Sequence, residues 1–211
     1  MEYIYLITNW IIGLVRQNTA TMFSALFGTF FGAWFAFAFE RRHENKKERE
    51  AEFSAGKRAQ FAIITQLTAL KNMRKQYLDP LRNDPDRALT LTPFSIHAKF
   101  PQLDINALGF MLNDEGAQLL YELMISEHRY ITLIGVLEQR NQRHEQMQHK
   151  VGSAEHGLDR ATVQILRDMT DSLYGLSDDA IKSHEEGFEK LKAYLQKRFA
   201  NSKGLAFEYT S

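Results

Sequence analysis

The sequence predicts an all-α protein, in which an N-terminal transmembrane helix continues into a cytoplasmic antiparallel bundle of about four helices. Two observations predict this fold class. Residues 20–39 contain no charge, and apolar side chains then recur at helical spacing over most of residues 53–201. All four prolines fall between Pro80 and Pro101, so the rest of the chain is free to be helical.

Composition excludes several classes of function. The chain has 211 residues with 26 basic and 26 acidic side chains, so it lacks the basic excess typical of nucleic-acid-binding proteins. We therefore expect no direct nucleic-acid binding. The absence of cysteine excludes disulfides, thiol nucleophiles and Cys-ligated zinc. About 170 residues follow the apolar segment, which is enough for one domain with a real core.

Residues 1–19 are predicted to be an interfacial or re-entrant amphipathic segment. The apolar stretch 3–15 is only thirteen residues long, which is too short to cross a bilayer as a helix. Trp10 is of a type that favours the lipid headgroup region. Residues 17–19 are polar and are predicted to form a turn before the span. A tightly packed helical hairpin is the alternative.

Residues 20–39 are predicted to be the transmembrane helix, because twenty residues span about 30 Å, the thickness of the hydrocarbon core. Small side chains recur in it at every fourth position: Ser24, Gly28, Gly32 and Ala36. Such a face lets a second backbone approach closely, which predicts a homo-oligomer. The alternative is that Gly and Ala are simply frequent in membrane helices.

Residues 40–52 alternate acidic and basic side chains and predict a charged helical stalk, with Lys46 and Glu50 as one supporting pair. Its basic side chains are predicted to contact lipid headgroups, as Trp10 is: Arg41, Arg42, Lys46 and Lys47. Basic flanks stay cytoplasmic, so we expect a single-pass protein of the inner (plasma) membrane with a cytoplasmic C-terminal domain. A signal-peptidase site at residues 36–38 is the rival interpretation, disfavoured by the basic cluster that follows it.

The helical bundle is assigned to residues 53–201, followed by a tail at 202–211. Its first helix covers residues 53–79 and ends before Pro80, and an irregular connector covers 79–103. A short apolar stretch at 105–112 precedes a long helix that ends near 149. Two further helices are predicted at 158–174 and from 178 to about 200, separated by Gly175 and with Ser177 as the N-cap of the second.

The connector contains four basic side chains, for which we favour the interpretation of solvated surface charges, with an anion-binding rim as the alternative. They are Arg82, Arg87, His97 and Lys99.

No catalytic motif is present, so the protein is not expected to be an enzyme, and no cofactor or metal is expected. His144 and His149 are five residues apart, whereas the zinc-protease motif needs two histidines four apart on one helix face. His184 is predicted to be a hydrogen-bonded core residue and His128 to border a helix interface.

Three charged residues of the long helix, Glu127, Arg129 and Arg140, lie near its predicted buried face. They are interpreted as an internal ion pair, with a ligand site as the alternative.

The pattern LD-x-x-x-L-x-F-x-L at residues 103–112, followed by a long helical stretch up to Arg140-Asn141, resembles small bacterial inner-membrane proteins of unknown function. In architecture the chain is similar to membrane effectors of bacterial antiviral defence, including cyclic-oligoadenylate-responsive membrane proteins of type III CRISPR systems. This resemblance implies a homo-oligomeric effector that senses a nucleotide signal or a cytoplasmic protein and perturbs the lipid bilayer. The alternative is a membrane-tethered adaptor that binds another protein without gating.

Overall fold

The structure is a computed structural model that describes residues 2–95, 101–113, 115–152 and 160–200; at 2–22, 113, 151 and 152 it describes the backbone alone. Within these ranges every regular element is helical, so the predicted all-α fold class is confirmed. The chain divides into two compact units, Met1–Ala51 and Glu52–Ser211, which we describe separately.

The first unit consists of helix α1, which runs over Glu2–Met73 and so extends beyond the unit boundary. Its backbone stays helical through residues 17–19, and the predicted polar turn there is wrong. The physical reason is that this stretch contains neither proline nor glycine, and polarity alone does not interrupt backbone hydrogen bonding. The interfacial position of residues 3–15 stays a prediction, and the Trp10 side chain lies outside the described residues.

Among the described helices, one is long and apolar enough by length and composition to cross a membrane, and its apolar part lies near the N-terminus. No residue of its most apolar stretch is buried. Nine large apolar side chains are between 51% and 69% exposed in the first unit: Phe23, Leu26, Phe27, Phe30, Phe31, Trp34, Phe35, Phe37 and Phe39. A contiguous apolar surface of this kind marks an interaction with a membrane or a partner.

The second unit begins with the last turns of α1, which pass into a π-helical turn at Arg74–Leu78 and a 3-10 turn at Asp79–Leu81. The helix thus ends close to the predicted boundary, because Pro80 cannot donate a backbone hydrogen bond. The connector contains a short helix, α2 (Arg87–Thr90), and a 3-10 helix follows at Asn106–Asn113. The two remaining long helices are α3 (Ala117–Gly152) and α4 (Arg160–Arg198).

Helix α4 corrects the prediction of two helices separated at Gly175. It is continuous, and Ser177 lies inside it instead of capping a new helix. The Ser177 hydroxyl is buried, donates to the Tyr174 carbonyl over 2.9 Å and accepts from Arg74 Nη1 over 2.5 Å. Because a tertiary contact uses this hydroxyl, the local cap signal is overridden.

The core of the second unit consists of two apolar clusters. The first includes Ile63 of α1, Leu123 of α3 and residue 188 of α4. The second includes Leu70 of α1, Leu133 of α3 and residue 173 of α4. From the first cluster to the second, residue numbers rise along α1 and α3 and fall along α4. Helices α1 and α3 therefore run in the same direction, and α4 runs antiparallel to both.

A level of buried polar side chains separates the two apolar clusters. On each of the three long helices, at least one such side chain lies between the residues of the two clusters, among them Gln66, Glu127 and His184. We call these three residues, with Ser126, the polar layer.

Candidate functional site

The predicted packing face of α1 is open. Ser24, Gly28, Gly32 and Ala36 are all exposed, and a Cβ atom placed on either glycine meets no atom within 4 Å. The neighbouring face is aromatic, with the rings of Phe27 and Phe31 stacked at a centroid distance of 6.1 Å. Small residues beside bulky ones form a groove that a second helix can approach closely.

The basic segment predicted to contact lipid is exposed throughout. Among the described residues, Lys46 lies 3.9 Å from Glu50, while Arg41, Arg42 and Lys47 make no ion pair. The Lys46 and Glu50 side chains are 75% and 69% exposed, so their attraction is largely screened by solvent. These cations are therefore accessible to other anions, including lipid phosphates.

The structure does not bring Glu127, Arg129 and Arg140 together. Glu127 is buried and accepts hydrogen bonds from Gln66 and from the Leu103 backbone, whereas Arg129 is exposed. Arg140 lies thirteen residues further along α3, about 20 Å away. The ion pair predicted among them is therefore wrong: apolar periodicity gives the face of a helix but not the partner of each charge.

The polar layer is a continuous hydrogen-bond network across α1, α3 and α4. The Gln66 amide nitrogen donates to the Glu127 carboxyl over 2.9 Å and to the Pro101 carbonyl over 3.1 Å. The Gln66 amide oxygen lies 2.8 Å from His184 Nε2. Three long helices and the segment around Pro101 are thus held at one level by a single glutamine.

The contacts of His184 bear on its protonation state. Since the Gln66 oxygen can only accept, this contact is a hydrogen bond when His184 Nε2 carries a proton. His184 Nδ1 lies 2.8 Å from the Ser126 hydroxyl and 2.9 Å from the Ala180 carbonyl. Burial lowers the pKa of His184, while the Ala180 carbonyl opposes this shift. His184 is 1% exposed, which confirms the predicted hydrogen-bonded core residue. His128, predicted to border an interface, is exposed.

A second buried polar group surrounds Arg140, which is fully buried. Its Nη2 donates to the Ala88 carbonyl over 2.9 Å and to the Leu91 carbonyl, and its Nε lies 3.4 Å from the Thr170 hydroxyl. Burial lowers the pKa of Arg140 to about 10, so the guanidinium stays charged at neutral pH. Arg140 therefore acts as a cationic cap on the last carbonyls of α2.

His144 lies one turn beyond Arg140 and is 2% exposed. Its Nδ1 has no hydrogen-bond partner among the described residues, and its Nε2 lies 3.1 Å from Gln148 Nε2. Burial, followed by the positive charge of Arg140, lowers the pKa of His144. This part of α3 therefore disfavours a second positive charge.

Sequence reasoning missed the ion pairs around Arg74. This residue is 8% exposed and contacts Asp79 over 2.7 Å and Asp178 over 2.8 Å. Two of the four basic side chains of the connector lie in the described residues, and both have carboxylate partners on α4: Arg82 pairs with Asp178 at 3.3 Å and Arg87 with Asp171 at 2.8 Å. His97 and Lys99 lie outside the described residues. The described rim thus joins the connector to α4.

A cleft of about 300 Å³ is lined by Glu115, Tyr194, Lys197 and Arg198. Its cations have carboxylate partners, since Lys197 lies 2.7 Å from Glu115 and Arg198 lies 3.0 Å from Glu52. Among the described residues, no group of three or more histidine or acidic side chains is placed to hold a metal ion.

In the part of the chain that the structure describes, the fold and these sites define an all-α protein with one helix long and apolar enough to cross a membrane. Comparison with family models, curated proteins and solved structures finds no match to this chain.

Proposed function

We propose that the protein is a membrane-anchored homo-oligomeric effector, in which the helical second unit senses a signal or partner and the anchor perturbs the lipid bilayer. The observation that carries this proposal is the exposed apolar stretch of α1 with its open small-residue face. An apolar surface of this length is stable in lipid, and its small-residue face suits contact with a second copy.

Basic residues after the apolar stretch support an inner-membrane protein with a cytoplasmic second unit. Arg41, Arg42 and Lys47 are exposed and free to contact headgroup phosphates. A cleaved signal sequence has a similar apolar stretch, and the intact mass of the membrane-bound protein separates the two cases. An uncleaved anchor is supported if the intact mass includes residues 1–39.

A signal can act only if it binds two arrangements of the helices with different affinity. The second unit offers a defined element for such a change, because Gln66 holds α1 against Glu127 of α3 and His184 of α4. Helix α1 also carries the apolar stretch. A shift of α1 within the second unit is therefore the route that we propose from sensing to the membrane.

Dye leakage from liposomes that contain the full chain tests this function. We expect leakage to rise with a cell extract or a candidate nucleotide, and to be lost in the Gly28→Leu, Gly32→Leu double variant, which fills the open face. Phe27→Leu is the matched control, because it changes the aromatic face alone. An effector is refuted if no extract or nucleotide ever alters leakage.

The defence role that the architecture implies stays a prediction. It is tested by adding cyclic oligoadenylates in the same leakage assay.

A membrane-tethered adaptor is the second candidate. It is favoured by exposed apolar side chains on the second unit, of which Phe61 and Leu112 are 57% and 64% exposed. An adaptor keeps its captured cytoplasmic protein in the double glycine variant and shows no leakage under any condition. An effector loses leakage in that variant, so the two outcomes are distinguishable.

A further inference from the structure

Helix α3 carries an apolar face outside the core. Tyr121, Met124 and Ile131 are 58%, 47% and 49% exposed, although they lie on the same helix as the buried core leucines. They belong to a row at alternating spacings of four and three, which we call the outer stripe: Ala117, Tyr121, Met124, His128, Ile131 and Gly135. This spacing is the a/d pattern of a helix that packs against another helix.

The outer stripe faces away from the core of its own unit. On a helical wheel its residues fall within about 40° of one direction, whereas Leu123 and Leu133 lie about 120° and about 160° from that direction. After Gly135 the same direction carries polar side chains, such as Gln142 and Gln146. The apolar part is therefore bounded, as an interface is.

The stripe carries no carboxylate, lysine or arginine, and neither do Ile125 and Thr132 along one of its two edges. Both of these edge side chains are half-buried. The nearest charges on the same side, Glu122 and Arg129, are one position further out, and Glu122 already pairs with residue 190 of α4 over 2.7 Å. A surface of this composition can meet an identical surface without repulsion between like charges.

We infer that the outer stripe is the contact between two copies of this chain, which pair through α3 in parallel orientation about a two-fold axis along the helices. In this orientation each residue of the stripe meets its own counterpart, as on the axis of a two-fold interface. Tyr121 and Met124 thereby place aromatic and thioether groups against themselves, and His128 lies at the centre of the contact. Half-buried Ile125 at the edge gains further cover.

The direction of the helices in the second unit favours the parallel orientation. Helices α1 and α3 run the same way, since Ile63 and Leu123 both lie in the first apolar cluster, and Leu70 and Leu133 both lie in the second. A parallel pair therefore keeps the points at which α1 enters the two second units at one end of the dimer. An antiparallel pair would place these points at opposite ends. Two copies that enter from one membrane need the first arrangement, so the inference rests on the anchor of the proposed function.

The size of the stripe agrees with a contact that needs the membrane. Six residues on one helix are far fewer than the roughly 20–30 residues that each partner contributes to a standard stable interface. Such a pair is weak between freely diffusing molecules. Anchoring both copies in one membrane raises their effective concentration and makes a weak contact sufficient.

Disulfide cross-linking of the full chain in liposomes tests the pairing, because the native chain contains no cysteine. Two single variants are made, Tyr121→Cys and Ile131→Cys, which differ in a size tag. In the parallel pair each variant places its two cysteines face to face, so we expect each to cross-link alone. In the mixture, positions 121 and 131 lie about 15 Å apart along the helix, too far for a disulfide. The mixed-size dimer should therefore be at least fivefold rarer than random combination predicts.

Charge at the centre of the stripe provides the second measurement. His128→Glu or His128→Lys, introduced into the Tyr121→Cys variant, places two like charges together, and we expect several-fold less cross-linking. Mixing the two variants brings a carboxylate against an ammonium group, so cross-linking between them should recover. His128→Leu is the matched uncharged control and should cross-link at least as well as the parent. Recovery requires folded chains in both charged variants, which separates repulsion from misfolding.

Ala193→Cys on the exposed surface of α4 is the background control and should not cross-link above random collision. The inference is overturned if the mixture cross-links better than either variant alone, which indicates antiparallel pairing. It is also overturned if no variant exceeds the control, which leaves the stripe to another protein or to lipid. Cross-linking without any leakage would support the pairing and refute the effector function. Leakage without cross-linking would refute the pairing alone.

Discussion

Replacing Arg140 by methionine is expected to destabilise the second unit strongly, with the local effect at α2 in the connector. The variant keeps a long side chain in a fully buried position but removes every hydrogen-bond donor. The carbonyls of Ala88 and Leu91 then lose the charged partner that caps α2. Both of these residues are 2% exposed, so water cannot replace that partner easily.

The magnitude follows from the two carbonyls. Leaving a buried acceptor unsatisfied costs about 1–3 kcal/mol, so two of them cost about 2–6 kcal/mol. Burial lowers the pKa of Arg140 to about 10, which shows that its charge is desolvated at a cost. Arg140→Met removes this desolvation cost and so offsets part of the loss. We therefore expect Arg140→Met to reduce the free energy of unfolding by about 3 kcal/mol, which for a unit of this size lowers Tm by about 6–12 °C.

Thermal unfolding in detergent, followed by circular dichroism, measures the loss. Arg143→Met is the matched control: it lies on the same helix, is exposed and should change Tm by less than about 2 °C. Hydrogen exchange supplies the local readout, since the amides of Leu89 and Leu91, which bond to Asp86 and Arg87, should exchange faster. Equal melting of the two variants would show that the guanidinium does not hold the connector.

Two further predictions concern packing and pH. In Gly56→Ala the new Cβ would lie 2.6 Å from Leu195 Cδ2, so we expect a loss of about 1–3 kcal/mol by denaturant unfolding, whereas Gly175→Ala has open space and should gain up to about 1 kcal/mol. Burial lowers the pKa of both His144 and His184, so the unfolded chain binds protons first as pH falls below its histidine pKa of about 6.5. The free energy of unfolding should therefore fall as the pH is lowered through about 6.5. His184→Gln should reduce the slope of the free energy of unfolding against pH. A rise in stability on acidification would contradict these pKa shifts.

The parts of the fold that the sequence predicted are those that a helix encodes locally. The end of the first bundle helix near Pro80 and the long helix after the 3-10 segment follow from one proline and from apolar periodicity. The break at Gly175 failed because the same residues admit two local solutions. A glycine followed by Leu-Ser is typical of a helix start, whereas in the folded chain the Ser177 hydroxyl binds Arg74 and the helix continues.

The buried polar contacts could not be predicted, because their partners are distant in sequence. Gln66 and His184 are 118 residues apart, and Arg140 contacts carbonyls about 50 residues earlier in the chain. A local signal was present for each side chain, since a polar residue on an apolar stripe needs a partner. It identified His184 as a hydrogen-bonded core residue but could not name Gln66. It also suggested an ion pair for Arg140 where the acceptors are backbone carbonyls.

The polar layer explains why three apolar stripes give one packing arrangement. A stripe of leucines tolerates displacement by one helical turn, about 5.4 Å, because apolar contacts are not directional. The same displacement would separate Gln66 from both Glu127 and His184 and leave buried polar atoms without partners. The register of α1 against α3 and α4 is therefore fixed in discrete steps. A signal that shifts α1 would have to replace these hydrogen bonds as a set, which favours a transition between two states over a gradual deformation.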